Sequence, residues 1–94
     1  NIDKNISEDD DWENFAMYFD QVHGEFTSRL KEAFPLLSPQ ETKLSAYLRM
    51  NLSTKEIAHL LNISVRGVEI ARYRLRKKIG LDRNVNLQEF ILRY

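Results

Sequence analysis

Two short helices joined by a turn of about three residues are predicted within residues 52 to 81, and no other segment constrains the fold as strongly. Ser53 and Glu56 form an S-x-x-E capping box, which starts a helix because each side chain accepts from the backbone amide of the other residue. Asn62 tolerates the left-handed conformation that ends a helix, and Ser64 can cap the next one. This spacing is typical of a helix-turn-helix.

The second helix of this pair has one apolar side and one mixed, mostly basic side. At about 100° per residue, its apolar side carries Val68, Ala71, Leu75 and Ile79. The opposite side carries Arg66, Ile70, Tyr73 and Lys77, flanked by Glu69, Arg74 and Arg76. Guanidinium groups bind phosphates or guanine edges, and apolar or aromatic groups contact thymine methyl groups. A basic helix face is more often simply solvated, but the outward Ile70 and Tyr73 after a helix-turn-helix spacing favour a surface that enters a DNA groove.

The net charge is zero for the whole chain, but the charges are unevenly distributed. Residues 1 to 37 carry nine acidic and three basic side chains, whereas residues 38 to 94 carry five acidic and eleven basic ones. The part that contains the helix-turn-helix therefore has a net charge of +6, and the part before it −6. A locally basic balance suits nucleic-acid binding. At 94 residues, the chain is long enough for one small domain.

Other functional classes lack their defining residues. The chain has no cysteine, which excludes disulfides, thiolate metal sites and a cysteine nucleophile. It also has no glycine-rich phosphate loop, and no motif surrounds either of its histidines, His23 and His59. We therefore expect no enzymatic activity, no cofactor and no metal. His23 is expected to be a cap or a packing residue, and His59 a surface residue. No apolar run approaches the roughly 20 residues that a membrane span needs.

The N-terminal part divides into a polar tail and an amphipathic segment. Residues 1 to 11 are polar and mostly acidic, which predicts a linker tail with a helix beginning near its acidic end. Residues 12 to 36 are predicted to be helical because large apolar residues recur there at every third or fourth position.

A break is predicted inside this amphipathic segment at Gly24, because glycine is unfavourable in a helix interior. Two helices, at about 11–22 and 25–34, fit the pattern better than one. The aromatic stripe that they carry needs a burial partner. That partner is either the helix-turn-helix of the same chain or the equivalent helices of a second chain.

Residues 37 to 94 are predicted to form the domain that contains the helix-turn-helix. A second capping box, with proline at the first helical position, starts its first helix at residues 38 to 41. Gly80 ends the second helix of the pair, and an asparagine cap starts a last helix at about 87–93. That last helix has more apolar residues than one contact face requires, so some are candidate dimer contacts, with closure of the core as the alternative. These candidates are Leu87, Phe90 and Ile91.

Four motifs within residues 37 to 81 carry a family resemblance. LSPQE resembles an L-T-x-x-E opening, LSTKEIA resembles L-S-N-K-E-I-A, and NISVRGVE and RKKIGL resemble I-S-x-x-T-V and R-K-L-G. Together, and without gaps, they resemble the LuxR/NarL-type helix-turn-helix domain of bacterial transcription regulators. The resemblance implies a four-helix domain. With the one or two amphipathic aromatic helices that periodicity places before it, the expected fold is all-α. It implies that the third helix of that domain, at about 65–79, is the recognition helix and that the last helix often mediates dimerisation.

The resemblance and the outward helix face together give the candidate site residues. The resemblance implies base contacts at Glu69, Ile70 and Tyr73, and phosphate contacts around Thr54, Lys55 and Arg66. The full candidate base-contacting set is Arg66, Glu69, Ile70, Tyr73, Arg74 and Lys77. The candidate phosphate-contacting set is Thr54, Lys55, Ser64, Arg72 and Arg76. Gly67, Glu69 and Ala71 depart from the family's usual residues, so a target sequence cannot be transferred from other family members.

These features predict a sequence-specific DNA-binding output domain of a bacterial transcriptional regulator, acting on double-stranded DNA as a homodimer in the cytoplasm. The alternative is a protein-interaction module, or a promoter-reading module like that of sigma factors with weak DNA affinity on its own. The stretch AYLRMNLSTKEIA is also similar to a subgroup of large regulators in which this domain is the cytoplasmic end of a membrane-anchored protein. That similarity implies an upstream sensor region in the same protein, and the absence of an initiator Met fits an excerpt from a longer chain. RNA polymerase is a further expected partner.

Overall fold

A computed structural model describes residues 8–94, which form six helices and no strand. The helices are α1 (Glu8–Val22), α2 (Phe26–Ala33), α3 (Pro39–Arg49), α4 (Thr54–Leu61), α5 (Val65–Ile79) and α6 (Leu87–Arg93). The all-α prediction is confirmed for this part of the chain. The first seven residues of the predicted linker tail lie outside the described residues. Its acidic end, where a helix is expected to begin, belongs to α1, which starts at Glu8. No helix in the described part combines the length and apolar character needed to cross a bilayer.

The connection between α1 and α2 is a tight turn at the predicted break. Gly24 and Glu25 have φ angles of 65° and 61°, in the left-handed region that glycine adopts without strain. The backbone amide of Glu25 donates to the carbonyl of Asp20 over 2.7 Å, which closes the turn. The prediction of two helices rather than one is therefore confirmed.

The N-terminal cap of α2 comes from α1, seven residues earlier in the chain. Asp20 accepts at Oδ1 from the amide of Thr27 over 2.8 Å, and at Oδ2 from the Thr27 hydroxyl over 2.7 Å. Its Oδ2 also accepts from the amide and the hydroxyl of Ser28, over 3.2 and 2.9 Å. Burial raises the pKa of Asp20, but these four hydrogen bonds outweigh burial and hold that pKa below its usual value.

Local capping sets the starts of α3, α4 and α6. Ser38 and Glu41 form a reciprocal capping box at α3, and Ser53 forms one with Glu56 at α4, each with hydrogen bonds of 2.8 and 3.1 Å. At α6, the side chain of Asn86 accepts from the third helical amide over 2.9 Å. These three predicted caps are confirmed, and each satisfies an amide that a helix terminus leaves without a partner.

One apolar core joins α1 and α2 to the other four helices. Every helix contributes to its buried side chains, which are Phe19, Phe26, Leu30, Leu44, Ala46, Leu48, Ile57, Ala58, Val68, Leu75, Leu87 and Ile91. Trp12 of α1 extends this core, because its ring centroid lies 6.3 Å from that of Tyr47 in α3. In this structure of a single chain, the aromatic stripe therefore packs against the chain's own helices.

Two arginines tie the end of α6 to the N-terminal helices. Arg29 of α2 donates to the carbonyl of Tyr94 over 2.9 Å, and its guanidinium carbon lies 5.3 Å from the centre of the Tyr94 ring. Arg49 of α3 donates to the carbonyl of Ile91 over 2.9 Å and to Nδ1 of His23 over 3.3 Å. The last carbonyls of a helix lack partners within the helix, and here these two arginines donate hydrogen bonds to them. His23, expected to be a cap or a packing residue, packs its ring 4.1 Å from that of Phe19.

Candidate nucleic-acid interface

The turn between α4 and α5 holds these two helices close together. Asn62 ends α4 with φ 59° and ψ 44°, as predicted, and the amide of Ile63 donates back to the carbonyl of Ala58 over 3.0 Å. The side chain of Ser64 caps α5 by accepting from the amide of Gly67 over 2.9 Å. A Cβ at Gly67 would lie 3.3 Å from the Ser64 hydroxyl oxygen and 3.4 Å from two Ile63 carbons. The absence of a side chain at position 67 therefore relieves crowding at this turn.

The inner face of α5 packs as predicted. Val68 and Leu75 are fully buried, and Ala71 and Ile79 are partly buried against the core. Two helical turns separate Val68 from Leu75, so the docking contacts extend along most of the helix. The opposite face is consequently held outward.

That outward face of α5 combines exposed cations with exposed apolar side chains. Ile70 is 41% exposed and Tyr73 is 59% exposed. The Lys77 ammonium nitrogen lies 5.3 Å from the centre of the Tyr73 ring. Arg66 and Glu69 approach to 3.8 Å, but both side chains are mainly in solvent, so the pair is weak. All six candidate base-contacting residues are exposed on α5: Arg66, Glu69, Ile70, Tyr73, Arg74 and Lys77.

The five candidate phosphate-contacting residues differ from one another in exposure and in the hydrogen bonds that they already make. Lys55 is exposed and Thr54 partly exposed in the first turn of α4. The hydroxyl of Ser64 is exposed but already accepts from a backbone amide. Burial, with a smaller contribution from the neighbouring charge of Arg76, lowers the pKa of the half-buried Arg72. The guanidinium of Arg76 donates to two carbonyls of the chain itself.

An ion pair that the sequence analysis did not predict fixes α5 against α3. The Lys78 ammonium donates to Oε1 of Glu41 over 2.8 Å and to the carbonyl of Leu36 over 3.1 Å. Glu41 is only 6% exposed. Burial raises its pKa, but Lys78 and the Ser38 capping bonds outweigh burial and hold the pKa below its usual value. The two charges lie 37 residues apart in the sequence, so no local pattern indicates the contact.

The candidate dimer contacts on α6 are mostly not available at the surface. Leu87 is 2% exposed and Ile91 is fully buried, because both face α3 in the core of the same chain. Phe90 is partly buried and packs its ring 5.6 Å from that of Tyr94. The apolar side chain that α6 does expose is Leu92, at 44%. The alternative of core closure therefore accounts for Leu87 and Ile91.

Within residues 11–94, no three acidic or histidine side chains lie close enough together to hold a metal ion. His59, expected at the surface, is exposed on α4.

Comparison with known proteins identifies the family. The model of the GerE family, described as bacterial regulatory proteins of the luxR family, matches residues 35–90. This match covers more than half of the 94 residues and includes the whole of α3, α4 and α5. No curated protein and no solved structure matches the chain significantly. The chain therefore belongs to the luxR family of bacterial regulatory proteins, and residues 35–90 are its DNA-binding helix-turn-helix domain.

Proposed function

We propose that the chain is a sequence-specific DNA-binding domain and that α5 is its recognition helix, inserted in the major groove. The observation that carries this proposal is the outward face of α5, where Ile70 and Tyr73 are exposed among cations and take no part in docking the helix on the core. The major groove is wide enough for an α-helix, and its base edges differ for every base pair. An arginine fork, an aromatic ring and an apolar group can each contact different base edges.

Base choice and affinity come from different residues in this proposal. Arg66, Glu69, Ile70 and Tyr73 contact bases, with Arg74 and Lys77 at the edges of the same face. Glu69 can accept from a cytosine amine but repels phosphate, so it contributes to selectivity and lowers non-specific affinity. Lys55 and the first turn of α4 contact the phosphate backbone and set the register of the domain on the duplex.

Two copies of the domain bind together in this proposal, each reading one half-site. Helix-turn-helix dimers bind half-sites about one helical turn apart, so the spacing of a selected site reports on the assembly. We further propose that the domain works in the bacterial cytoplasm as the output part of a longer, membrane-anchored regulator. An upstream sensor region would control it, and RNA polymerase would be a protein partner at the promoter.

Selection from a randomised pool of duplex DNA tests the proposal directly. The fragment is incubated with the pool at moderate salt, and the bound fraction is sequenced. We expect a motif that occurs twice at about one helical turn. Enrichment of a single motif without a repeat would contradict the dimer. Retention of DNA without any enriched motif would contradict sequence-specific binding and indicate contacts with phosphates alone. Absence of retention would favour a protein-interaction module instead.

Two alanine substitutions then test the role of the outward face. We expect Tyr73→Ala and Arg66→Ala each to weaken binding to the selected site about tenfold, because each removes a base contact. Tyr18→Ala is a matched control, since Tyr18 is 69% exposed on α1, outside the recognition helix. The measurements are affinity by fluorescence anisotropy and thermal unfolding by circular dichroism. Equal losses of thermal stability in both α5 variants would show that the face is structural.

A further inference from the structure

Among the basic side chains of α5, that of Arg76 makes the shortest hydrogen bond to another part of the chain. Its Nη1 donates to the carbonyl of Val85 over 2.6 Å, and its Nη2 donates to the carbonyl of Asp82 over 2.8 Å. The two nitrogens of one planar guanidinium thus contact two carbonyls of the same loop. Such a fork fixes the orientation of the group as well as its position.

The loop that Arg76 contacts connects α5 to α6. The carbonyl of Arg76 accepts from the amides of Gly80 and Leu81 over 2.9 and 3.1 Å, which ends α5. The amide of Val85 then donates to the carbonyl of Asp82 over 3.1 Å, so the turn closes at the same oxygen that the arginine contacts. Main-chain and side-chain bonds of one residue therefore hold both ends of the loop.

The guanidinium of Arg76 is directed at its own loop and is less available to a phosphate than the exposed cations near it. Arg76 is only partly exposed, whereas Arg74 and Lys77 on either side of it are exposed. Val85 and Asp82 each accept from one N–H of the two Nη groups, so both terminal nitrogens already face the loop. A phosphate that engaged both Nη groups end-on would compete with these two carbonyls for the orientation of the guanidinium.

We propose that Arg76 is a positioning residue, which holds the loop of residues 80 to 86 and thereby aligns the recognition helix with α6, and that it does not bind phosphate. The proposal rests on DNA binding by α5, as proposed above. It changes the role of Arg76 from the candidate phosphate contact expected from the sequence. Its functional consequence is that α5 and α6, each with an outward surface, keep one fixed relative orientation.

A substitution that keeps the charge but removes the fork separates the two roles. Lys in place of Arg76 retains one positive charge, yet a single ammonium on a flexible stem does not reproduce a planar two-nitrogen contact. In Arg76→Lys, we expect the amides of residues 81 to 86 to exchange about tenfold faster in hydrogen–deuterium exchange without DNA. We expect binding to the selected DNA site to weaken about threefold, with the salt dependence of affinity unchanged.

Arg74→Gln is the matched control, because Arg74 is an exposed arginine of the same helix. We expect this control to leave the exchange of residues 81 to 86 unchanged. Wild-type exchange of the loop amides in Arg76→Lys would overturn the positioning role. A slope reduced by about one in Arg76→Gln, with unchanged exchange, would also overturn it and assign a phosphate contact. Failure of the wild-type chain to select DNA would instead count against the proposed function, since the exchange experiment contains no DNA.

Discussion

At the scale of single residues, Asp20 shows how a buried charge can stabilise a helix that begins without a cap of its own. The residue before α2, Glu25, makes no side-chain capping bond and has a positive φ angle. Asp20 supplies the missing acceptors to Thr27 and Ser28 from the preceding helix. The carboxylate also lies at the positive end of the α2 dipole, which favours its charged form.

The lowered pKa of Asp20 predicts a loss of stability in acid. A group with a lower pKa in the folded state contributes stability above its unfolded pKa, whose usual value is 3.8, and loses that contribution as the pH falls through the folded pKa. We therefore expect Asp20→Asn to reduce the free energy of unfolding at pH 7 by about 1–2 kcal/mol. The difference between variant and wild type should shrink below about pH 4.

Urea unfolding at a series of pH values measures this effect. Asp11→Asn is the control, because Asp11 is exposed on α1. A variant of Asp20 that lost the same stability at pH 2 as at pH 7 would show that packing, and not the charge of Asp20, is responsible.

At the scale of helices, the Lys78–Glu41 pair joins the C-terminal turn of α5 to the N-terminal turn of α3. Glu41 has two partners at one oxygen, since Oε1 accepts from the amide of Ser38 and from Lys78, both over 2.8 Å. The same carboxylate therefore caps one helix and fixes the direction of the other. Loss of Lys78 would leave a nearly buried negative charge with fewer partners.

A double-mutant cycle tests this link between helices. We expect a coupling energy of about 1 kcal/mol between Glu41→Gln and Lys78→Met, because the pair is short and one partner is nearly buried. The exposed pair of Arg66 and Glu69, at 3.8 Å, is the comparison and should show no measurable coupling. Additive effects of the two substitutions in the Glu41–Lys78 cycle would contradict the link.

Sequence patterns predicted the helices well because the signals that start and end them are local. The capping boxes at Ser38 and Ser53, and the left-handed Asn62, lie within four residues of the groups that they satisfy. The contacts of Asp20, Arg76 and Lys78 span 6 to 42 residues and form only once helices are packed. For the same reason, helical periodicity predicted which residues of α5 face outward. It did not predict that the guanidinium of Arg76 is hydrogen-bonded to the loop after the helix.

At the scale of the whole molecule, α1 and α2 belong to the same core as the helix-turn-helix. Phe26 and Leu30 of α2 are fully buried in the cluster that also contains Leu44 and Ile91. Arg49 lies with its guanidinium carbon 4.8 Å from the centre of the Phe26 ring. The helices before residue 35 therefore form part of the folded unit and are not an independent appendage.

Phe26→Ala tests whether this shared core is cooperative. We expect a loss of about 3–5 kcal/mol in the free energy of unfolding, because a fully buried aromatic ring is removed. Val22→Ala, at a position 79% exposed, should change stability little. Wild type is expected to unfold in a single transition by both fluorescence of Trp12 and circular dichroism. Two separate transitions would show that α1 and α2 unfold independently.

The separation between the two faces of α5 also bears on how such a protein can diverge. Val68 and Leu75 dock the helix, and Arg76 and Lys78 hold its C-terminal end, whereas Ile70 and Tyr73 have no part in any of these contacts. Substitutions at exposed positions usually change stability by less than about 0.5 kcal/mol. Under the proposed function, the outward residues are therefore free to vary under selection for a new DNA target without loss of the scaffold. Duplicated copies of such a gene would then acquire different target sites by a few point mutations.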